Sequence, residues 1–360
     1  MPATPKTFAQ PALERFARTL LQRAGVPEDR ATPMAQRMLD ADLLGHGTHG
    51  LWFMSAYLER IAAGHIRPEA QVQVLNDQPG AFAWHAQRAP GAWVMQQASA
   101  ELLKRVGNQG VVSATIADCS HIGCLQAYLL PLVRENLLVT LSATNPGVRS
   151  VAPFGGSDPV LTTNPVAWGI PTRGAPILID QCTSVASNTF FKSFAARGQK
   201  LPEAWLLDSD GQPTDDPTVL QQTPPGSILP LGGLQHGYKG FGLGLMVEAF
   251  SLALGGSGRR QAPDMFGQGV FIQVIDPDSF AGREAFLDEM DDLVASCRES
   301  RLRPGAKGIR LPGERALAER ERQLAQGIAL SDEVLARLQP WAERLDVAVP
   351  APLSGGSETR

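Results

Sequence analysis

Apolar residues recur every three or four positions along the first 64 residues of the chain, a spacing that is typical of amphipathic helices. Three helices are predicted there: PALERFARTLLQRAG, PEDRATPMAQRMLDADLLG and LWFMSAYLERIAAG. The first two end in a glycine, Gly25 and Gly45, the residue type that most often follows the last turn of a helix. We therefore expect the N-terminal part of the chain to be helical.

The middle of the chain has a different pattern, in which short runs of β-branched and apolar residues lie between segments rich in glycine, proline and asparagine. Buried strands are predicted at VVSATIAD, LLVTLSAT, APILID and GVFIQVIDP, and a helix at GAWVMQQASAELLKRVG. The C-terminal part returns to helical spacing with the acidic segment REAFLDEMDDLVASCRES. We predict an α/β body in the middle and a mainly helical domain formed by both termini.

The length of the chain, 360 residues, exceeds what one hydrophobic core usually serves, so two domains are expected. The predicted helical domain comprises residues 1–75 together with residues 280–350, and the α/β domain comprises residues 76–279. Residues 351–360 carry mostly small and polar side chains and are expected to form a disordered tail.

Composition excludes several classes of protein. Lys and Arg number 32 against 36 Asp and Glu, and no basic stripe is present, so no nucleic-acid partner is expected. The longest apolar run is interrupted by Glu248 and is too short to span a bilayer, and the N-terminus lacks the pattern of a signal peptide. The four cysteines form no C-x-x-C pair, which argues against zinc and against a disulfide framework. We expect a cytoplasmic protein without a bound metal.

His49 stands in the segment GHGTHG, where glycines surround it and Thr48 precedes it. A histidine can donate a proton near neutral pH, an adjacent hydroxyl can orient its ring, and glycines let a ligand approach the backbone. The same pattern fits a turn between helices in which the histidine caps backbone carbonyls. The spacing alone does not separate these two interpretations.

Three other residues are candidates for chemistry. His121 comes directly after Ser120 and a predicted strand, at the start of a helix whose backbone amides could bind a phosphate. The alternative is a surface histidine that follows Ser120 as the N-cap of the helix. Asp180 ends a predicted strand and fits either a site or a helix cap. Lys239 precedes the segment GFGLG, where a helix is predicted to begin near Gly240. Its ammonium group could bind a phosphate, or it could be a solvated surface charge. GFGLG follows no strand and lacks the spacing of a dinucleotide fingerprint, which argues against a Rossmann turn.

Taken in order, the segments resemble the malate/L-lactate dehydrogenase-like family of NAD(P)-dependent oxidoreductases. The matching segments are ADLLGHGTHG, SHIG, VAPFGGSDPVLTTNPVAWGIP, LIDQCTSVAS, LPEAWLLDSDGQPTDDP, YKGFGLGLMVEAFSLALGG, GVFIQVIDPDSF and IRLPGE. The resemblance implies a non-Rossmann α/β body that binds the cofactor, and a homodimer whose active site lies near the subunit interface. It also implies hydride transfer between a nicotinamide and C2 of a 2-oxo acid, a 2-hydroxy acid or a cyclic imino acid.

The resemblance implies roles for particular residues. His49 is the expected proton donor, with Thr48 beside it, although some members assign the acid–base role to the histidine at the position of His121. The expected cofactor contacts are Ile122, Gly123, Cys124, Leu125, Asp180, Gln181, Cys182, Tyr238, Lys239, Pro312, Gly313, Glu314 and Arg315. NADPH is the expected cofactor, because Arg315 or a neighbouring basic side chain could meet a 2′-phosphate, and NADH is the alternative.

Two positions depart from the family pattern. Phe53 stands where the family usually has the arginine that binds the substrate carboxylate, four residues after the site histidine. After TSVAS the chain continues with an asparagine, a threonine and Phe190, where the family usually has a glycine and then a charged residue. We predict an apolar pocket wall made partly by Phe53 and Phe190, with Arg149 available to bind a carboxylate. The expected substrate-binding residues are Phe53, Arg149, Thr162, Asn188, Thr189 and Phe190.

These features favour a NAD(P)H-dependent oxidoreductase that acts on the C=O or C=N bond of a 2-oxo acid or a cyclic imine-type substrate, with His49 as proton donor. The loss of charged residues leaves two alternatives open. One is a non-catalytic dimeric relative that binds the nucleotide, and the other is a conventional malate- or lactate-type 2-hydroxy acid dehydrogenase.

Overall fold

The computed structural model describes residues 6–261, 264 and 266–353, so most of the expected tail, residues 354–360, lies outside the described residues. The helices over the described residues are α1 (Gln10–Arg23), α2 (Glu28–Leu43), α3 (Met54–Ala62), α4 (Gly91–Gln109), α5 (Gln126–Val133), α6 (Asn188–Ala196), α7 (Gly233–Glu248), α8 (Arg283–Glu299), α9 (Glu314–Gln326) and α10 (Asp332–Arg344). The strands are β1 (Lys6–Phe8), β2 (Gln73–Gln78), β3 (Ala81–His85), β4 (Val111–Cys119), β5 (Leu138–Thr144), β6 (Val166–Ile170), β7 (Ile177–Gln181), β8 (Leu206–Leu207), β9 (Pro213–Thr214), β10 (Ser227–Ile228), β11 (Gln268–Ile275) and β12 (Ile328–Leu330).

Seven strands form the central sheet in the order β2-β3-β4-β11-β5-β6-β7. β3 and β4 run parallel, and every other neighbouring pair in this sheet is antiparallel. The inner strands β4, β5 and β11 are β-branched runs that the sequence predicts, and most of their side chains are buried. α4 and α5 pack on the sheet and share its hydrophobic core. The predicted α/β body is confirmed, and its mainly antiparallel sheet differs from the parallel sheet of a Rossmann domain.

Helices from the two ends of the chain pack into one core. Leu20 of α1, Met38 of α2, Leu58 of α3 and Leu338 of α10 are buried together. β1 near the N-terminus pairs with β12 near the C-terminus, so backbone hydrogen bonds also join the two ends. The helical domain formed by both termini is therefore confirmed.

The exact residue boundaries of the two domains stay a prediction. α8 lies on the C-terminal side of the predicted boundary at residue 280, yet Arg173 in the β6–β7 connection forms ion pairs with Glu284 and Asp288 of this helix. α8 is thus tied to the edge of the sheet. None of the helices over the described residues is both long enough and apolar enough to cross a membrane.

Candidate active site

A cleft of about 650 Å³ is formed by the turn after α2, the segment between β4 and α5, the end of β7 and the start of α6. Segments far apart in the sequence therefore meet around one cavity, and its size suits a small-molecule ligand. The predicted site residues that line it are Thr48, His49, Phe53, His121, Ile122, Gly123, Cys124, Leu125, Arg149, Thr162, Asp180, Gln181, Cys182, Asn188 and Thr189.

The other predicted site residues do not line this cleft, and they are Phe190, Tyr238, Lys239, Pro312, Gly313, Glu314 and Arg315. The ring of Phe190 packs against those of Phe194 and Trp205, with centroids 4.7 and 5.9 Å away, in a small core that α6 forms with β8 and β10. Of the two phenylalanines predicted to form an apolar wall, only Phe53 lines the cleft.

Lys239 lies inside α7, because this helix begins at Gly233 and not near Gly240 as predicted. The expectation that Lys239 marks a helix entrance is therefore wrong. Lys239 and Tyr238 are exposed on the outer face of α7, with the lysine nitrogen 5.9 Å from the centre of the tyrosine ring. A cofactor role for these two residues stays a prediction.

Pro312 and Gly313 form the turn that precedes α9, and Glu314 and Arg315 are the first two residues of that helix. The backbone amide of Leu178, in β7, donates to the carbonyl of Pro312 at 3.1 Å. Gly313 has a φ of +93°, and a Cβ built there would lie 2.8 Å from the Cβ of Leu178, so only glycine allows this approach. The turn is held against the same strand whose end, at Asp180, lines the cleft.

His49 is carried by a short 3-10 turn, Gly47–His49, that follows α2. The buried carboxylate of Asp42, in the last turn of α2, accepts a hydrogen bond of 2.8 Å from the backbone amide of Leu51. A Cβ built on Gly50 would lie 2.0–2.4 Å from the atoms of this carboxyl group, which therefore needs glycine there. Burial raises the pKa of Asp42 to about 7, against the opposing effect of the Leu51 amide. The segment is thus a turn between helices, and it also presents His49 to the cleft.

His121 is held from two sides. The Oγ of Ser120 accepts a hydrogen bond of 2.8 Å from the backbone amide of Gly91 at the start of α4, so Ser120 is not the N-cap of α5. The hydroxyl of Tyr57 lies 2.9 Å from Nδ1 of His121 and donates to the backbone carbonyl of the same residue at 3.1 Å. With the tyrosine hydrogen on the carbonyl, Nδ1 donates to the tyrosine oxygen, and Nε2 is the ring atom left to accept a proton.

Both site histidines are neutral at neutral pH in the free protein. Burial, with a smaller contribution from His46, lowers the pKa of His49 to about 4. Burial also lowers the pKa of His121 well below its usual range, and the charges of His49 and Arg60 act in the same direction. A neutral imidazole can accept a proton from a substrate hydroxyl or amine, and it becomes a donor once it is protonated.

Aromatic rings and one guanidinium group follow one another along one wall of the cleft. The ring centroids of His49 and His121 are 5.9 Å apart, and those of His121 and Phe53 are 4.6 Å apart. The guanidinium carbon of Arg60 lies 5.2 Å from the centre of the Phe53 ring. Phe53 immediately precedes α3, and its spacing of four residues from Tyr57, with three more to Arg60, puts the three side chains on one face of this helix.

Asp180 lies in the cleft and also caps the start of a helix. It lines the cleft, and its carboxylate accepts a hydrogen bond of 2.9 Å from the backbone amide of Gln126, the first residue of α5. This amide is therefore occupied and not open to a phosphate. The thiol of Cys124 lies 3.8 Å from the same carboxylate oxygen, and burial raises the pKa of both groups.

His46, Cys124 and Asp180 offer three metal-ligating atoms within 4.8 Å of one another. However, Nε2 of His46 lies at 2.7 Å from Oε1 of Gln126, and Asp180 binds the amide of the same glutamine. Protein hydrogen bonds thus satisfy both the imidazole and the carboxylate. The geometry indicates that this cluster fixes the start of α5 against the end of β7.

Several polar residues of the cleft wall escaped the sequence analysis: His46, Arg60, Lys192 and Gln268. Arg60 could have been found from its spacing of seven residues from Phe53, two turns along the same helical face. Three cations, Arg60, Arg149 and Lys192, line the cleft among the described residues, against one carboxyl group, that of Asp180. The cleft therefore favours anionic ligands.

A family model for malate/L-lactate dehydrogenase matches residues 8–339 of the chain. A malate dehydrogenase from Pyrococcus abyssi is 29% identical over 92% of this chain and 93% of that protein. A Δ1-pyrroline-2-carboxylate/Δ1-piperideine-2-carboxylate reductase from Pseudomonas putida is 30% identical over 91% of this chain and 94% of that protein. The solved structure of malate dehydrogenase from Pyrococcus horikoshii has a TM-score of 0.85 at 26% identity, covering 97% of this chain and 99% of that one. The identities to the malate dehydrogenase and to the imino-acid reductase are nearly equal, so identity does not select a substrate.

Proposed function

The chain belongs to the malate/L-lactate dehydrogenase family of nicotinamide-dependent oxidoreductases, as its motifs predict, and from this premise we propose that it reduces a C=O or C=N bond. Its substrate is a 2-oxo acid or a cyclic imine-type compound. The single observation that carries the proposal is that two neutral histidines, His49 and His121, stack with centroids 5.9 Å apart in a cleft of positive character.

In this proposal His49 donates a proton to the oxygen or nitrogen of the substrate. A nicotinamide cofactor, when bound, supplies the hydride. Oγ1 of Thr48 lies 3.3 Å from Nδ1 of His49, so the hydroxyl can orient the ring and leave Nε2 for the substrate. Anionic ligands raise the pKa of His49, which allows it to take up its proton as they enter. His121, oriented by Tyr57, is the second candidate for the same role.

The cofactor in this proposal lies along residues 122–125 and 180–182, which line the cleft. The exposed cation Lys192 suits its phosphates, and β7 leads from Asp180 to the turn at Pro312 and Gly313. The exposed side chains of Lys307, Arg310 and Arg315 flank that turn and can meet a 2′-phosphate, so NADPH is the proposed cofactor. If this is right, Arg315→Ala raises the KM for NADPH more than the KM for NADH.

Substrate selection in this proposal begins with Phe53. Its ring gives the cleft an apolar wall, which suits a substrate bulkier than pyruvate or malate. Arg149, Thr162, Asn188 and Thr189 line the same cleft and supply polar contacts for the rest of the substrate.

A homodimer is part of the proposal, and the outer face of α7 supports it. Leu234, Tyr238, Leu245, Phe250 and Leu254 are large apolar residues exposed on or just beyond this helix. Contiguous exposed apolar surface marks interaction sites in soluble proteins. A second copy on this face would also explain how Tyr238 and Lys239 reach a cofactor, because neither lines the cleft of its own chain.

Oxidation of NADPH and NADH by the purified protein, followed over a substrate panel, tests the proposed function. The panel contains pyruvate, oxaloacetate, phenylpyruvate, the five- and six-membered cyclic imino acids, and an uncharged cyclic imine. We expect turnover of at least one bulky 2-oxo acid or cyclic imine, its loss in His49→Ala, and a smaller loss in His121→Ala. The reverse order of losses would transfer the proton-donor role to His121.

Two other outcomes would favour the two alternatives to this proposal. Turnover restricted to malate or lactate and their oxo acids would identify a conventional 2-hydroxy acid dehydrogenase. Tight NADPH binding without turnover of any panel member would favour a non-catalytic relative. The presence of Phe53 and Phe190 at positions where the family usually has charged residues supports this alternative.

A further inference from the structure

Arg60 is a cation of the cleft wall that the proposed mechanism does not use. It lies in α3 and is half-buried, and its guanidinium carbon is 5.2 Å from the ring centre of Phe53 and 5.8 Å from that of Phe266. Guanidinium groups stack favourably on aromatic rings, so two rings hold this group in place. All three side chains line the cleft.

Within the described part of the chain, Arg60 has no carboxylate partner within 4.0 Å. Two other partly buried arginines have one: Arg105 lies 2.7 Å from Glu101, and Arg259 lies 2.7 Å from Glu248. Burial lowers the pKa of Arg60, which reflects the cost of holding its charge away from water. A charge in such a place is normally compensated, and an anion in the cleft would compensate it.

We propose that Arg60 binds the carboxylate of the substrate. This inference rests on the proposed function and names the residue that binds the carboxylate attached to the reducible C=O or C=N carbon. The two parallel N–H groups of a guanidinium match the two oxygens of a carboxylate. The aromatic contacts hold the group in advance, so little side-chain entropy is lost when the acid binds.

The position of Phe53 gives this subsite its geometry. Its ring lies between Arg60 and His121, 5.2 Å from the guanidinium carbon and 4.6 Å from the imidazole centre. A carboxylate held by Arg60 therefore places the adjacent unsaturated carbon on the same wall of the cleft as the histidines. Phe53 acts here as a platform that positions the arginine and the substrate.

Arg149 and Lys192 are the other cations of the cleft wall, and they fit this role less well. Both side chains are exposed, whereas Arg60 is half-buried. Water already solvates an exposed cation, so pairing it with an anion gains little free energy.

Matched acid and neutral substrates test Arg60 directly. The pair is Δ1-piperideine-2-carboxylate and Δ1-piperideine, which differ only in the carboxylate. In Arg60→Met, which keeps the apolar stem, we expect KM for the acid to rise about 100-fold while kcat/KM for the neutral imine stays within about threefold. Arg67→Met, at an exposed arginine just beyond α3, is the control and should leave both values unchanged.

Two kinetic results would overturn the inference. An equal loss for the acid and the neutral imine would make Arg60 a structural residue of α3. A large rise in KM for the acid in Arg149→Ala, with none in Arg60→Met, would assign the carboxylate to Arg149.

Equilibrium binding separates failure of this inference from failure of the proposed function. Calorimetry of the NADPH-loaded protein with pyridine-2-carboxylate, and with pyridine as the neutral control, measures the subsite without turnover. We expect Arg60→Met to bind the acid at least about tenfold more weakly, and Arg60→Lys to be intermediate because its ammonium group lacks the planar fork. If the wild type binds the acid through Arg60 but turns over no substrate, only the proposed function fails. If the wild type is active and Arg60→Met binds the acid equally well, only this inference fails.

Discussion

The backbone of Gly50 lies against the buried carboxyl group of Asp42, and this contact positions the turn that carries His49. In Gly50→Ala the new methyl group would lie 2.0–2.4 Å from the carboxyl atoms, so either the carboxyl group or the turn must move. We expect kcat/KM to fall by about 10- to 100-fold, because a displacement of about 1 Å at a catalytic group has an effect of this order. Steady-state kinetics with a substrate found on the panel measures it.

Gly47→Ala is the matched control for this change. A Cβ there would lie 3.9 Å from the nearest oxygen of Asp42, which is an ordinary contact. The control variant should keep kcat/KM within about threefold of the wild-type value. Similar losses in both variants would mean that the turn depends on glycine flexibility and not on the contact between Gly50 and Asp42.

The low pKa of His49, about 4, gives the reduction a specific pH dependence. Only the protonated imidazole donates a proton, and above pH 4 this form decreases with rising pH. We therefore expect kcat/KM for reduction to fall about tenfold per pH unit from pH 5 to 8, without a plateau below pH 6.5. The reverse oxidation needs the neutral imidazole, so its kcat/KM should not depend on this group above about pH 5. If kcat/KM for reduction instead reaches a constant value below pH 6.5, the proton donor is a histidine with an ordinary pKa.

At the scale of elements, hydrophobic spacing predicted the long helices and the buried strands well. α1, α2, α4 and α8 and the strands β4, β5, β7 and β11 all lie at the predicted segments. β2 was missed because each of its side chains is exposed, so it carries no burial pattern. The start of α7 was misplaced because its five glycines gave the segment the composition of a loop. Spacing thus predicts an element only where one of its faces is buried.

Asp42 links two elements, α2 and the turn that carries His49, and its pKa of about 7 in the folded protein compares with 3.8 for an exposed carboxyl group. Between these pH values the folded chain holds a proton that the unfolded chain releases. The stabilising contribution of this group is therefore complete below about pH 4 and is lost as the pH rises through 7.

Asp42→Asn cannot lose that proton, so its stability relative to wild type should rise between pH 4 and pH 8. The expected gain is on the order of 2–4 kcal/mol in the free energy of unfolding, measured by urea denaturation at several pH values. Asp42→Ala lacks an acceptor for the amide of Leu51 and should be less stable than Asp42→Asn throughout. A constant difference between Asp42→Asn and wild type would mean that Asp42 is ionised in the folded protein over this range.

At the scale of the whole molecule, the sequence predicted parts of the site but not how they meet. His49, His121 and Asp180 each stood out by local pattern, and the structure brings them to one cleft. Tyr57 and Arg60 belong to a predicted amphipathic helix, and periodicity does not show what a polar side chain contacts. Only the packing of α3 against the segment after β4 shows that Tyr57 holds His121. Residues that act through a partner distant in sequence are the ones that such patterns miss.

The proposed homodimer is a property of the whole molecule, and α7 provides its test. Leu245, on the outer face of α7, is 49% exposed, and Leu293, on α8, is 53% exposed. A buried carboxylate at an apolar interface is costly, so Leu245→Glu should convert a particle of twice the 38.5 kDa chain mass into a single chain. Leu293→Glu adds the same charge at similar exposure and should leave the dimer intact. Size-exclusion chromatography with light scattering measures both masses. A dimer that persists in Leu245→Glu would indicate an interface other than α7, and a monomeric wild-type protein would reject the dimer itself.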